Sequence, residues 1–178
     1  MIRSMKREDR YSSLFRWTVA VWVWTLIGSG VLAWGGIVLM RIDGTLGWVV
    51  WSKYAVLLIL LVSLVGVAGY MPLRLRADGE RMAVGRLLGA LKIPLSEVEE
   101  ARMIPKSYLD GTIRTFGSGG MCGYFGRFRN KRLGSFTMYA TNLSHLVWVR
   151  TRQGRRYVFG CGRRMEEFLA FVQTRLEK

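Results

Sequence analysis

Two long apolar stretches near the start of the chain constrain its fold more than any other feature. They cover residues 17–40 and 54–73, which are 24 and 20 residues without a charged side chain. As helices they would be roughly 36 and 30 Å long, enough to cross a bilayer. Core helices of soluble proteins rarely lack a polar face over such lengths, and the first stretch is longer than the apolar part of a cleaved signal peptide. The sequence therefore predicts two transmembrane helices.

Positive charges on both sides of this helix pair predict its orientation. Cytoplasmic flanks of membrane spans carry an excess of Lys and Arg, and the joining segment has only Arg41 and Lys53. Both termini are therefore expected in the cytoplasm, with residues 1–16 as a basic tail lying against anionic headgroups. The flanking cations are Arg3, Lys6, Arg7, Arg10 and Arg16 before the first span, and Arg74, Arg76, Arg81 and Arg86 after the second.

The spans carry two further signals. In the joining segment, residues 41–53, Asp43-Gly44 indicates a turn, and Trp48 and Trp51 are expected at the outer membrane interface. In the second span, small residues form a surface that would let another helix approach closely. They are Ser63, Gly66 and Gly69.

The rest of the chain, residues 74–178, is long enough for one small domain. It contains 20 Lys plus Arg against 9 Asp plus Glu, so it carries +11 of the chain's +15. This balance favours an anionic partner, of which the closest is the cytoplasmic leaflet. The same excess is also what the positive-inside bias would produce over a small cytoplasmic domain.

The domain has the pattern of an antiparallel, meandering sheet followed by a helix. Apolar and charged residues alternate over residues 73–78, and further short strand patterns follow with turns between them. Residues 163–178 carry one continuous apolar stripe at helical spacing. The other predicted strands are residues 82–85, 91–95, 99–104, 135–141, 145–151 and 156–161. The helical stripe consists of Met165, Phe168, Leu169, Val172 and Leu176.

A glycine-rich stretch covers residues 115–128. It lacks the Gly-Lys-Ser/Thr of a P-loop and the strand and helix that would flank a dinucleotide fingerprint. We interpret the glycines as permitting bulges and positive φ where aromatic side chains turn inward. Alternatively, they let a ligand or the membrane surface approach the backbone. The aromatic residues are Phe116, Tyr124, Phe125 and Phe128.

These residues carry a family resemblance. About seven short strands and one C-terminal amphipathic helix resemble a PH-like domain, and residues 74–177 resemble the bacterial PH domain families often found behind one or two membrane spans. The resemblance rests on residues 93–98 (IPLSEV), on the run Gly119-Gly120-x-x-Gly123-Tyr124-Phe125-Gly126 with Phe128, and on Tyr139-Ala140-Thr141. It implies an α+β membrane protein with a β-barrel or sandwich, in the bacterial inner (plasma) membrane. It also implies a binding or scaffolding role and brings no catalytic residues.

The leading functional hypothesis is a non-enzymatic, membrane-anchored binding module. It would contact anionic lipid headgroups or an acidic protein partner at the inner leaflet, through clusters of cations beside the membrane. No catalytic residue, metal site or cofactor is predicted. The candidate binding residues are Arg127, Arg129, Lys131 and Arg132 on one loop, and Arg150, Arg152, Arg155 and Arg156 around a hairpin tip.

Other classes of function fit the sequence less well. A membrane-bound thiol enzyme or redox protein using Cys122 and Cys161 is the alternative. Against it, the cytoplasm would keep both cysteines reduced, and we expect both to be thiols packed within the domain. One His and two Cys do not complete a tetrahedral zinc site. Ser144 and His145 are predicted to point to opposite faces of a strand, which makes a nucleophile–base pair difficult to form. Arginines between aromatic residues would suit nucleic acid, which membrane anchoring argues against.

Overall fold

The computed structural model describes residues 10–15, 18–41, 47–120 and 122–176. Two apolar helices, α1 (Val19–Arg41) and α2 (Gly47–Tyr70), precede most of the strands, and helix α3 (Met165–Leu176) follows them. One sheet has the order β1-β2-β3-β4 and the other β5-β9-β10-β8-β7-β6. The predicted fold class is confirmed as a sandwich, since the sheets do not close into a barrel. The strands are β1 (Arg10–Leu14), β2 (Pro72–Asp78), β3 (Arg81–Arg86), β4 (Ala90–Pro94), β5 (Val98–Ile104), β6 (Ile113–Gly120), β7 (Gly123–Asn130), β8 (Gly134–Ala140), β9 (Leu146–Thr151) and β10 (Arg156–Gly160).

Helices α1 and α2 are long and apolar enough to cross a membrane. Their candidate spans are Val21–Arg41 and Val50–Tyr70, with mean hydropathies of 1.8 and 2.1. In each helix, no part of the most apolar 18-residue segment is buried within the protein. A core helix of a soluble protein would be mostly buried, so the exposure of both segments is what lipid-facing helices require.

Helix α2 differs in its bounds from the predicted span at residues 54–73. It begins at Gly47, so Lys53, which was predicted to lie in the joining segment, lies within the helix. The Lys53 ammonium group donates a hydrogen bond to the Met40 carbonyl at 3.1 Å. That carbonyl lies in the last turn of α1, where helix carbonyls lack an internal partner. Helix α2 ends at Tyr70, and the following Pro72 already begins β2. The Asp43-Gly44 turn lies outside the described residues.

The prediction of a basic tail over residues 1–16 is wrong for residues 10–14, which form strand β1. It pairs antiparallel with β2, and its side chains alternate between buried and exposed. Tyr11, Ser13 and Phe15 are buried, and the Tyr11 hydroxyl donates a hydrogen bond to the Arg164 carbonyl at 2.7 Å. Within the strand only Tyr11 and Ser13 point inward, and one of these is a serine, which is why hydrophobic patterning missed it. The predicted tail cations before Arg10, and Arg16, lie outside the described residues.

The second sheet departs from a simple meander at two places. Strand β5 pairs antiparallel with β9 and not with β6. Strand β10 pairs antiparallel with β9 and parallel with β8, because the β9–β10 hairpin folds back so that β10 lies between them. The antiparallel pairing predicted from short turns is therefore confirmed for β6–β7, β7–β8 and β9–β10 but not for β8 and β10.

The glycine-rich stretch forms the long hairpin β6–β7. Gly117 and Gly126 face each other across it with φ of 107° and 120°, which confirms the predicted positive φ. Phe125 and Phe128 are buried as predicted. Phe116 is 74% exposed, so the prediction that it turns inward is wrong. It lies beside a register shift between Arg114 and Phe116, and such an irregularity re-aims the side chain next to it.

Helix α3 covers the main hydrophobic core with the predicted stripe. Met165, Phe168 and Val172 are fully buried, and Leu169 and Leu176 pack at the edge of the same core. The Phe168 ring contacts Tyr11 and Phe159, with ring centroids 5.3 and 6.2 Å away. A second cluster, which includes Phe136 and Trp148, forms another part of the core. The helix thus joins β1 to the six-stranded sheet.

We expect Phe168→Ala to destabilise the protein by about 3–5 kcal/mol, because it removes a fully buried ring and leaves a cavity. The control is Thr174→Ala on the exposed side of the same helix, which should change stability by about 0.5 kcal/mol or less. Thermal unfolding of the detergent-solubilised full chain measures both. Equal shifts in the two variants would contradict the packing described.

Candidate functional site

Strand β7 carries two of the predicted cations on one face of its sheet. Arg127 and Arg129 are exposed and alternate with the buried Phe128. Because side chains alternate along a strand, the two arginines share a face. In the neighbouring strand β8, Thr137 lies opposite Arg127 and Ser135 opposite Arg129. The arginines therefore project beside hydroxyl groups.

The turn between β9 and β10 brings further cations towards β7. Gly154 has a φ of 75°, which favours glycine at this position. The Thr151 N–H donates to the Arg155 carbonyl at 2.9 Å, and the Arg155 N–H donates to the Thr151 hydroxyl at 3.1 Å. Strand β10 then pairs with β8. This geometry carries Arg155 and Arg156 next to the exposed face of β7.

Arg127, Arg155 and Arg156 border one open cavity of about 700 Å³, which we call the cationic groove. The Nη1 group of Arg156 donates a hydrogen bond to the Leu133 carbonyl at 2.8 Å, which orients its guanidinium. Within the described part of the chain, none of the three arginines pairs with a carboxylate and none of the lining residues is acidic. Hydroxyl groups complete the polar lining: Thr115, Ser135, Thr137 and Tyr157.

The other predicted binding residues lie elsewhere. Arg150 pairs with Glu99 at 2.7 Å. Arg152 lines a separate depression that Glu99 also lines. The Arg132 guanidinium packs over the Tyr108 ring, 5.6 Å from its centroid. Two predicted cations are exposed without lining the groove: Arg129 and Lys131.

Helix α2 contacts the domain through the small-residue surface noted in its sequence. Leu88 packs on Gly69, and the Leu88 N–H donates a hydrogen bond to the Gly69 carbonyl at 2.8 Å. Ser63 and Gly66 border an open, mostly apolar cavity of about 370 Å³ that is shared with strands β6, β7 and β8. We call this cavity the membrane-edge cleft. The small residues of α2 thus face the domain.

Arg86 is a residue that sequence reasoning counted only as a flanking charge. Its Nη1 group donates to the Tyr139 hydroxyl at 3.2 Å, and its guanidinium carbon lies 5.1 Å from the centre of the Tyr70 ring. Burial raises the pKa of Tyr139, an effect that the adjacent Arg86 cation partly offsets. The Nε atom of Arg86 is buried without a hydrogen-bond partner among the described residues. No local pattern signals this contact, because Tyr139 is far from Arg86 in the chain.

The two thiols are held in their unreactive form. Burial raises the pKa of Cys161 to about 12, and its Sγ lies 3.3 Å from the Met165 sulfur. Burial also raises the pKa of Cys122, an effect that the neighbouring Thr25 hydroxyl partly offsets. Reactive cysteines have lowered pKa values. Both shifts therefore oppose the alternative of a thiol enzyme using these residues.

The prediction that Ser144 and His145 point apart is wrong. Both precede β9 in an irregular turn, and Ser144 Oγ lies 2.9 Å from His145 Nδ1. The Ser144 hydroxyl donates its single proton to Asn142 Oδ1 at 2.6 Å, so His145 does not accept it. His145 Nε2 lies 3.7 Å from Glu166 Oε1 at the surface. In the part of the chain that the structure describes, no group of three or more His, Cys, Asp or Glu could hold a metal ion.

Comparison with known families agrees with this architecture. The family described as bacterial PH domain matches residues 73–176, which is more than half of the chain. The chain belongs to the bacterial PH domain family. The match confirms the resemblance inferred for residues 74–177, and the two apolar helices before the PH domain fit a two-span hairpin. No curated protein and no solved structure matches the chain significantly.

Family membership and the helices together describe a membrane-associated binding module. Bacterial PH domains are typically non-catalytic. The groove next to β7 is a concave surface lined by three arginines, and the cleft next to α2 is a concave surface with Arg86 packed against its Tyr70 wall. The groove is polar and cationic, whereas the cleft is apolar with one arginine beside it.

We expect Cys161 in the folded full chain to resist iodoacetamide at about pH 8, because only the thiolate reacts. Its reactivity should rise only as the pH approaches about 12, or when urea restores an ordinary pKa of about 8.5. Since the unfolded thiol ionises first, the fold should also lose stability as pH rises through this range. Mass spectrometry gives the rates, with the exposed Ser96→Cys as the reference thiol. Equal rates for the two thiols would contradict the burial of Cys161.

Proposed function

We propose that the PH domain is held at the cytoplasmic face of the bacterial inner membrane and binds anionic phospholipid headgroups in the cationic groove. The observation that carries this proposal is the convergence of Arg127, Arg155 and Arg156 without a carboxylate among the described lining residues. Other cations of the domain either have acidic or aromatic partners, such as Glu99 for Arg150, or lie at exposed positions outside this groove, as Lys92 and Arg163 do. The groove therefore concentrates charge that only an external anion can balance.

The chemistry of the groove suits a phosphate group. A guanidinium presents a planar fork of N–H donors that matches phosphate oxygens, and such charge-assisted hydrogen bonds are stronger than neutral ones. The hydroxyls of Ser135 and Thr137 add donors beside Arg127. Arg156 is already oriented by its bond to the Leu133 carbonyl, so less side-chain entropy is lost on binding.

The level of the groove relative to α2 favours a lipid over an acidic protein. Gly126 borders the membrane-edge cleft against the last two turns of α2, and Arg127 follows it directly in β7. A strand advances about 3.3 Å per residue, so Arg127 lies close to the level at which α2 leaves the bilayer. Headgroup phosphates lie at that level. An acidic protein is the competing partner, and the experiment below distinguishes it.

Native mass spectrometry of the full chain with equal phosphatidylglycerol and phosphatidylcholine tests the proposal. We expect preferential retention of phosphatidylglycerol. Arg127→Gln combined with Arg155→Gln should reduce this retention about tenfold or more, because each cation near an anionic surface contributes about 1 kcal/mol. Arg156 is left unchanged because it also bonds the Leu133 carbonyl.

The matched control is Lys92→Gln combined with Arg163→Gln, which removes the same charge from exposed positions that do not line the groove. This control should retain phosphatidylglycerol as the unmodified chain does. An equal loss in both double variants would mean that retention follows net charge, which overturns the proposal. Retention of an acidic polypeptide through Arg127 and Arg155, without a lipid preference, would assign the groove to a protein partner instead.

We also propose that both termini are cytoplasmic, since the flanks carry more Lys and Arg than the joining segment. Fluorescent protein fused to the C-terminus should fluoresce in cells, and alkaline phosphatase fused there should be inactive. Alkaline phosphatase inserted at Asp43, in the joining segment, should be active. The opposite pattern would show that the PH domain lies outside the cytoplasm.

A further inference from the structure

The membrane-edge cleft lies alongside a helix that is apolar enough to be in lipid. Its α2 wall extends from Ser63 to Tyr70, within the candidate span Val50–Tyr70. With a rise of about 1.5 Å per residue, this wall covers roughly 10 Å of depth from the cytoplasmic end of the helix. The cleft is therefore at the depth of the lipid carbonyls and the first part of the acyl chains.

The other wall of the cleft, hairpin β6–β7, is fixed at this depth by α1 as well. The Cys122 N–H donates a hydrogen bond to the Thr25 hydroxyl at 2.9 Å, and Trp24 packs against Gly120. Thr25 is six residues after the start of α1 at Val19, or about 9 Å along the helix. Both helices thus hold the tip of the hairpin beside their cytoplasmic ends.

The composition of the hairpin suits this depth. No residue from 115 to 126 is charged, and Arg114 and Arg127 come immediately before and after this segment. Charged side chains are costly inside a bilayer, so the uncharged segment matches the part of the hairpin that lies beside the helices. Phe116, within this segment, is 74% exposed and borders the cleft. A large apolar ring exposed at this position is explained by contact with lipid.

Two polar side chains in the cleft wall already form hydrogen bonds within the protein. The Ser63 hydroxyl donates a hydrogen bond to the Ile59 carbonyl at 2.7 Å, and the Tyr139 hydroxyl accepts one from Arg86. Gly66 and the Gly117–Gly126 pair leave bare backbone where side chains would otherwise fill the space. The cleft volume of about 370 Å³ is in the range of ligand sites. Its interior thus offers apolar contact and few free hydrogen-bonding groups.

We propose that the membrane-edge cleft binds one acyl chain of a membrane phospholipid, with the phosphate of that lipid at Arg86. The occupant follows from the continuity of the cleft with the lipid-facing surface of α2. Arg86 lies against Tyr70 and Tyr139, which both border the cleft, and among the described residues it pairs with no carboxylate. The apolar cleft matches the acyl chain of a phospholipid from the inner leaflet, and the cation at its cytoplasmic end matches the phosphate.

This inference is independent of the cationic groove. The cleft uses α2, Phe116 and Arg86, whereas the groove uses Arg127, Arg155 and Arg156. A variant that closes the cleft leaves the groove unchanged. Phosphatidylcholine, which lacks net charge, is therefore the appropriate probe, because the cleft does not require a preference for anionic headgroups.

The test is photolabelling of the full chain in nanodiscs of phosphatidylcholine that carries a diazirine on one acyl chain. Trypsin cleavage after Arg114 and Arg127 releases the hairpin segment as one peptide, whose label is measured by mass spectrometry. We expect strong labelling of this peptide. Gly66→Leu should reduce it about tenfold, equivalent to about 1.4 kcal/mol, because the new side chain fills the cleft. A Cβ at Gly66 has no neighbour within 4 Å, so the fold accepts it.

The matched control is Gly35→Leu in α1, where a Cβ likewise has no neighbour within 4 Å. It adds the same side chain to a lipid-facing helix away from the cleft and should leave hairpin labelling unchanged. Equal labelling in the unmodified chain and in both variants would mean contact with bulk lipid only, which overturns the proposal. Cross-links from the hairpin to a second copy of the chain would also overturn it, because a partner helix would then fill the cleft.

Discussion

One residue, Met71, connects the second apolar helix to strand β2. Such a connection leaves no slack, and two further contacts make it rigid. The Leu88 N–H satisfies the Gly69 carbonyl, one of the carbonyls that a helix end leaves without an internal partner. Arg86 packs its guanidinium over the Tyr70 ring in the last turn. The direction of the helix therefore determines how the whole PH domain faces the membrane, and both concave surfaces depend on it.

The distribution of acidic residues explains why the arginines of the cationic groove differ from those at the opposite edge of the same sheet. Glu99 and Glu100 lie at the start of β5 and pair with Arg150 and Arg102. Exposed pairs of this kind contribute little to stability, but they neutralise that edge of the sheet. Arg127, Arg155 and Arg156, beside β7 and the β9–β10 turn, have no such acidic neighbour among the described residues. Net charge alone cannot show this, because it does not say which arginines have acidic neighbours.

Local patterns in the sequence were enough to predict most of the elements. The alternation after Pro72 and the stripe on α3 depend on residues close together in the chain, and both were read correctly. The groove depends instead on how β7, β8 and β10 pair, which brings together residues about 30 positions apart. Three of eight predicted cations converge there, and no spacing rule could select them. The outward turn of Phe116 and the contact of Arg86 with Tyr139 are likewise results of tertiary packing.

Strand β1 has a consequence for how the protein is made. It precedes both helices in the chain, yet its partner β2 follows them. The helical hairpin is thus an insertion within the four-stranded sheet of the PH domain. During synthesis β1 emerges before the helices and stays unpaired until β2, which follows both helices, has been made. Completion of the four-stranded sheet must therefore come after the synthesis of both helices. A fragment that begins after the spans would expose the edge of β2 and lose the contacts of Tyr11 with α3.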